Sequence, residues 1–196
     1  MTRDKIGAHI VEVEGRFDRQ GRLLVYALPA ADGGGRFEVA GINEKYHRAK
    51  ATELRSLIQK GQHAKAKQEA GRYIMEFTDP VLDWFPAGTA KKYPHVEMLL
   101  RDTFFNRGNR GAAAMLQLAL GLPVDGRIGP VSRQAFAQAL EDDANALAKR
   151  ITQARATYEQ RRFPWKSRAR DERSQFWKGL NNRWNKTHKA AMALVT

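Results

Sequence analysis

Apolar residues recur at Ile6, Ile10, Val13 and Phe17, a three-to-four-residue spacing that predicts an amphipathic helix over about 3–14, ending near Gly15. From 16 to 39 the texture changes. Leu23, Leu24, Val25 and Tyr26 suit a strand, the Ala-Ala-Asp-Gly-Gly-Gly run at 30–35 a turn or loop, and Arg-Phe-Glu-Val at 36–39 a returning strand, so a small hairpin is expected after the first helix. Helical spacing resumes at about 45–59, 63–77, 95–105, 112–120, 130–140 and 143–161. Asp79-Pro80 and Phe85-Pro86 interrupt the series, because Pro lacks the backbone donor and pushes the residue before it out of the helical region. The pattern predicts a mostly α protein with a β-hairpin after the first helix and a helical C-terminal lobe.

Length and composition narrow the function classes. The chain has 196 residues, enough for one real core with a small appended module. It has no cysteine, which excludes a disulfide framework, a thiolate metal site and a cysteine nucleophile. The five histidines, His9, His47, His63, His95 and His188, lack ligand spacing with carboxylates, and the glycine run lacks the Lys and strand context of a phosphate loop, so no metal and no cofactor is expected. No stretch reaches the ~20 apolar residues that span a bilayer. The amino terminus, MTRDKIGAHIVEVEG, lacks the uninterrupted apolar segment of a secretory signal.

The formal net charge is +13, and it is concentrated between 155 and 189, where eleven basic residues face three acidic ones. Tyr158, Phe163, Trp165, Phe176, Trp177 and Trp184 are interleaved with that charge, which suits nucleic-acid bases or anionic wall polymers. The competing explanation is a buried helical stripe, since Phe176, Leu180 and Trp184 fall at i, i+4 and i+8. No helix-turn-helix or zinc pattern accompanies the charge, which weighs against nucleic acid as the partner.

The stretch LQLALGLPVDGRIGPVSRQAF, 116–136, carries the most specific signal. Gly121 suits a helix C-cap, Asp125-Gly126 a tight turn, and Gly129-Pro130 the start of the next helix. Its Leu-Gln, Leu-Gly, Val-Asp-Gly, Ile-Gly-Pro and Ala-Phe elements resemble the peptidoglycan-binding repeat of bacterial wall hydrolases, with Gln117, Asp125, Gly126 and Gly129 as its motif residues. Upstream, Asp102, Asn106 and Gly108 resemble the segment joining that repeat to the catalytic half in glycoside hydrolase family 108. Arg155, Tyr158 and Arg183 occupy places in that family's closing signatures, with Leu180 where a Trp is usual.

The resemblance implies a lysozyme-like catalytic lobe at 1–103 and a peptidoglycan-binding helical lobe at 104–196. It also implies an N-acetylmuramidase cutting the β-1,4 bond between N-acetylmuramic acid and N-acetylglucosamine. Such a hydrolase needs a carboxylic acid to protonate the leaving oxygen and a second carboxylate to activate water or attack carbon. Glu14-Gly15 and Gly41-Ile42 match the family's landmarks, which makes Glu14 the candidate acid; Glu38 and Asp32 are the candidates for the second group. The chain departs from the family at Arg16, Glu38 and Val39. Tyr73, Asp79 and Trp84 are candidates to line the saccharide groove, and Asp102 and Asn106 are further candidates for substrate binding.

The expected partner is peptidoglycan, met by a monomer. Without a signal, such an enzyme would reach the wall as a phage endolysin through a holin, or as a toxin carried by a secretion machine and matched by a cognate immunity protein. A non-catalytic peptidoglycan-binding module is the main alternative, and a nucleic-acid-binding protein the third.

Overall fold

Helix α1 (Thr2–Glu14) buries Ile6, Gly7, Ile10 and Val11. The buried face is thus turned from the expected Val13 toward Gly7, and the reason is a close helix crossing. A Cβ on Gly7 would lie 2.8 Å from the Gly71 carbonyl oxygen of α3 (His63–Phe77), so only glycine lets the two backbones approach. The computed structural model that shows this describes residues 2–29, 35–166 and 177–195. Among them the chain is mostly helical, with six α-helices and a small antiparallel sheet after the first.

The sheet has three strands, one more than the expected hairpin: β1 (Tyr26–Ala27), β2 (Phe37–Val39) and β3 (Ile42–Asn43), in the order β1-β2-β3. Ala40 and Gly41, with φ of 51° and 75°, form the two-residue turn between β2 and β3. Phe37, Val39 and Ile42 are buried, and α2 (Arg48–Gln59) packs against β2, β3 and α3. Of the strand expected at 23–26, only Tyr26 joins the sheet; Leu23 instead bridges Phe17 in a tight loop organised by the Asp18 carboxylate, which accepts from the amides of Gln20 and Arg22.

Helix α4 (Pro94–Ala119) is two helices joined at Gly108, whose φ of 67° no helix accommodates. Helix α5 (Pro130–Gln160) is likewise broken at Asp143, whose Oδ1 accepts from the Ala146 amide at 2.9 Å and caps the second half. Both breaks fall where the spacing predicts separate helices. Helix α6 (Trp177–Met192) packs on α4 and α5, and a 3-10 helix at Asp79–Trp84 packs on α4.

The chain divides into two compact units, Met1–Phe77 and Thr78–Thr196. The 103/104 boundary expected from sequence falls inside α4. What binds 78–103 to the second unit is Arg101, fully buried on α4, which donates to Glu97 at 2.7 Å, Thr78 at 2.8 Å and Asp79 at 2.8 Å. No helix among the described residues is long and apolar enough to cross a membrane. Replacing Gly7 with Ala should destabilise the first unit by about 1–3 kcal/mol through overpacking against Gly71, read from urea unfolding.

Candidate functional site

The first unit carries the candidate carboxylates Glu14, at the end of α1, and Glu38, on β2. Glu14 is half-buried at the last position of α1, and Gly15 lets the chain fold straight back: a Cβ there would sit 2.8 Å from the Phe17 ring and 2.7 Å from the Val11 oxygen. Arg16 then accepts a backbone hydrogen bond from Leu24 at 2.8 Å, and its guanidinium carbon lies 5.1 Å from the centre of the Tyr26 ring. Tyr26 pairs with Glu38, and Glu38 pairs with Asn43. Directly opposed residues share a sheet face, so Tyr26, Glu38 and Asn43 form one row, opposite the face that Phe37, Val39 and Ile42 bury.

The row is partly open to solvent, with Tyr26 37% exposed and Glu38 and Asn43 half-buried. A carboxylate flanked by a phenol and an amide suits a polar ligand such as a sugar, and Arg16, two residues beyond Glu14, reaches this row through the Tyr26 ring. Asp32, the other candidate for the second carboxylate, lies outside the described residues. Tyr73 lies on α3, where its hydroxyl is 2.8 Å from Nδ1 of His47, whose amide donates to the Asn43 carbonyl at 3.0 Å, and its ring stacks at 6.3 Å on Phe77. Burial raises the Tyr73 pKa and lowers that of His47.

The remaining candidates are in the second unit, where they hold helices together. Asp79 accepts from buried Arg101, and Trp84 is 5% exposed with its ring 6.3 Å from Phe104, so it offers no open face to a sugar. Asp102 is 1% exposed. Its two oxygens accept from Arg155 of α5 and Arg183 of α6, each at 2.7 Å, and Arg155 also donates to the Leu99 carbonyl at 2.8 Å. Burial works to raise the Asp102 pKa, but Arg183 and Arg155 outweigh it and hold the carboxyl below its ordinary value. Asn106, half-buried near the α4 break, accepts from Arg107, which reaches Glu159 at 2.5 Å.

Gln117, 3% exposed, organises the loop of the 116–136 stretch. Its amide nitrogen donates to Asp125 at 2.7 Å and to the Arg127 carbonyl at 2.9 Å, and its oxygen accepts from the Gly126 amide at 2.9 Å and the Asp125 amide at 3.2 Å. Gly126, at φ 72°, also leaves room for Trp165, whose ring a Cβ would meet at 3.1 Å. Gly129 precedes α5 as its N-cap, with Pro130 first in the helix. Residues 111–184 match a family described as Predicted Peptidoglycan domain.

The match supports a peptidoglycan-related protein and covers Gln117, Asp125, Gly126 and Gly129 together with Arg155, Tyr158 and Trp184. No curated protein matches the chain. The structure shows those matched side chains bonded to or packed on other residues of the second unit. Tyr158 is 4% exposed, and an aromatic series Tyr158, Phe163, Trp165 stacks at 5.2 and 5.1 Å, with the Arg110 guanidinium 5.0 Å from the Trp165 ring. Some of the basic, aromatic region, including Arg168, Arg170, Arg173 and Phe176, lies outside the described residues.

Sequence reasoning missed Arg101, Tyr26 and Asn43. Arg101 had a signal, since Glu97 and Arg101 are an i, i+4 pair in the stretch EMLLRDTFF, where a buried ion pair is the natural way to keep both charges. Tyr26 and Asn43 depend on strand register. Asp102→Asn should cost about 3–5 kcal/mol by leaving a buried guanidinium short of its counter-charge. Because the folded carboxyl is held low, the wild-type advantage should be full above the ordinary carboxylate range and shrink as pH falls through it, in urea titrations run at several pH values. Gln117→Leu removes both ends of the loop's amide bracket; about 2–3 kcal/mol should be lost, seen as a lower melting temperature.

Proposed function

We propose that the chain is a peptidoglycan hydrolase of the muramidase type, with Glu14 as the general acid and Glu38 as the second carboxylate. What supports the reading is that the chain leaving α1 after Glu14-Gly15 meets the hairpin through Arg16, whose carbonyl accepts from the Leu24 amide and whose guanidinium lies over Tyr26, in the row that sets Glu38 between Tyr26 and Asn43. The peptidoglycan-domain match at 111–184 supplies the substrate class. Glu14 would give its proton to the glycosidic oxygen between N-acetylmuramic acid and N-acetylglucosamine as that bond breaks, and the free hydroxyl would leave with the proton. Glu38 would act from the other side of the sugar: at ~5 Å from the acid it would attack the anomeric carbon, and at ~6.5–9.5 Å it would deprotonate a water between them. Tyr26 and Asn43 would hold the ring and its N-acetyl group over the sheet.

Arg16, a position at which the chain departs from the hydrolase family it resembles, is stacked on Tyr26 of the same polar row and favours one further reading, in which the chain binds the wall without cutting it. One pair of measurements separates the two. Wild type should release reducing ends from purified sacculi, and Glu14→Gln should still pellet with the sacculi while its rate falls by about 10²–10⁴-fold. Wild type that pellets and releases no reducing sugar would leave the binding module as the correct description.

A further inference from the structure

The chain carries a net charge of +13, yet one groove of the second unit reverses the sign. It has a volume of about 610 Å3 and lies between the C-terminal end of α4 and both halves of α5, all of it built from residues inside the 111–184 match. Its ionisable lining residues are two carboxylates, Asp142 and Asp143, and one guanidinium, Arg150. The end of α4 adds to the negative sign, since the last carbonyl groups of a helix carry partial negative charge. Each charged group is anchored by the chain itself. Arg150 Nε donates to the Ala119 carbonyl at 3.1 Å, Asp142 Oδ1 accepts from Gln138 Nε2 at 2.7 Å, and Asp143 Oδ1 accepts from the Ala146 amide at 2.9 Å. All three are exposed, and none is in an ion pair among the described residues.

The lining selects the ligand class. Two carboxylates to one guanidinium, at a helix C-terminus, attract an ammonium and repel the phosphates of nucleic acid or of anionic wall polymers, the partners that the rest of so basic a chain would favour. Arg150 at the same groove calls for a carboxylate on the same ligand. Between the charged groups the lining is apolar and partly small, with Gly121, Ala135 and Ala139 leaving space for short side chains. No aromatic residue lines the groove, so it offers no ring face on which a sugar would stack.

We propose that this groove binds the peptide stem of peptidoglycan through a diamino acid whose side chain ends in both an ammonium and a carboxylate. The ammonium is taken by Asp142 and Asp143, the carboxylate by Arg150, and the methyl groups of the stem alanines lie against Gly121, Ala135 and Ala139. The assignment rests on peptidoglycan being the partner of the chain. It gives the motif residues a positioning task, because Gln117 holds the loop that leaves α4 through Gly121, one of the lining residues.

The test is calorimetric titration of the intact protein with three probes: a stem tetrapeptide containing diaminopimelate, the same tetrapeptide with lysine in its place, and a tetramer of N-acetylglucosamine. Wild type should bind the diaminopimelate stem, and the lysine stem, whose side chain lacks the carboxylate, about tenfold more weakly or less well still. Asp142→Asn with Asp143→Asn keeps the acceptors that Gln138 and the Ala146 amide use, and should weaken stem binding by about tenfold or more, as should Arg150→Gln. Ala139→Leu, which fills the groove without changing its charge, should weaken it too, while Arg55→Gln in the first unit should bind as wild type does. Unchanged circular dichroism would confirm that the variants fold. Unchanged affinity in the double aspartate variant or in Arg150→Gln would overturn the proposal, as would equal affinity for the lysine stem or displacement of the stem by the sugar tetramer. Wild type that pellets with sacculi and binds no stem removes the groove and leaves the peptidoglycan reading; wild type that does neither removes both.

Discussion

A single carboxylate, Asp102, governs how the three long helices of the second unit meet. It sits on α4, 1% exposed, and takes one guanidinium from α5 and another from α6. Moving three ionised groups out of water costs about what their attraction returns, so the arrangement adds little net stability over a well-packed apolar contact. Its effect is on register. Only one sliding and rotational position of α5 and α6 on α4 places both guanidinium groups on the same two oxygens, and Arg155 locks that position further by reaching the Leu99 carbonyl. Tyr158, Trp184 and the Gln117 loop then have a defined framework to pack on. Arg101, the preceding residue on α4, acts in a similar way by drawing Thr78 and Asp79 onto the same helix.

The helical plan was legible because its boundaries are chemical. Residues 63–77 form the helix that the spacing predicts, bounded by a positive-φ Gly61 before it and by Thr78-Asp79-Pro80 after it. The breaks near 108 and 143 were legible for the same reason: glycine tolerates φ 67°, and an aspartate can cap the helix it precedes. The third strand was not, since Ile42 and Asn43 are two residues long and show no alternation. The end of the first helix at Glu14 could be read from the Gly15 that follows it. The row of Tyr26, Glu38 and Asn43 could not, because a face is set by register and a shift of one residue would exchange it for the buried one.

The polar residues singled out in the second unit show why motif membership and ligand contact separate. Asp102, Trp84 and Gln117 stand out in the sequence because they are polar or aromatic residues in helical runs. In the folded chain such residues are costly to bury unless satisfied, and each is satisfied by, or packed against, another segment of the same unit. The exposed basic groups are less conspicuous in sequence: Arg55 on a surface helix, over the Phe37 ring, and Arg16 in a loop, over the Tyr26 ring.

Gln117 carries a consequence for how the 116–136 stretch can vary. One side-chain amide of fixed size grips the backbone at Asp125, Gly126 and Arg127, so it acts as a gauge for the length of chain that leaves α4 and returns to it. Leu122, Pro123 and Val124 span the distance, the Leu122 amide donating to the Gln117 carbonyl at 3.0 Å. Their number is fixed, because adding or removing one residue would carry the donors and the acceptors off the amide together.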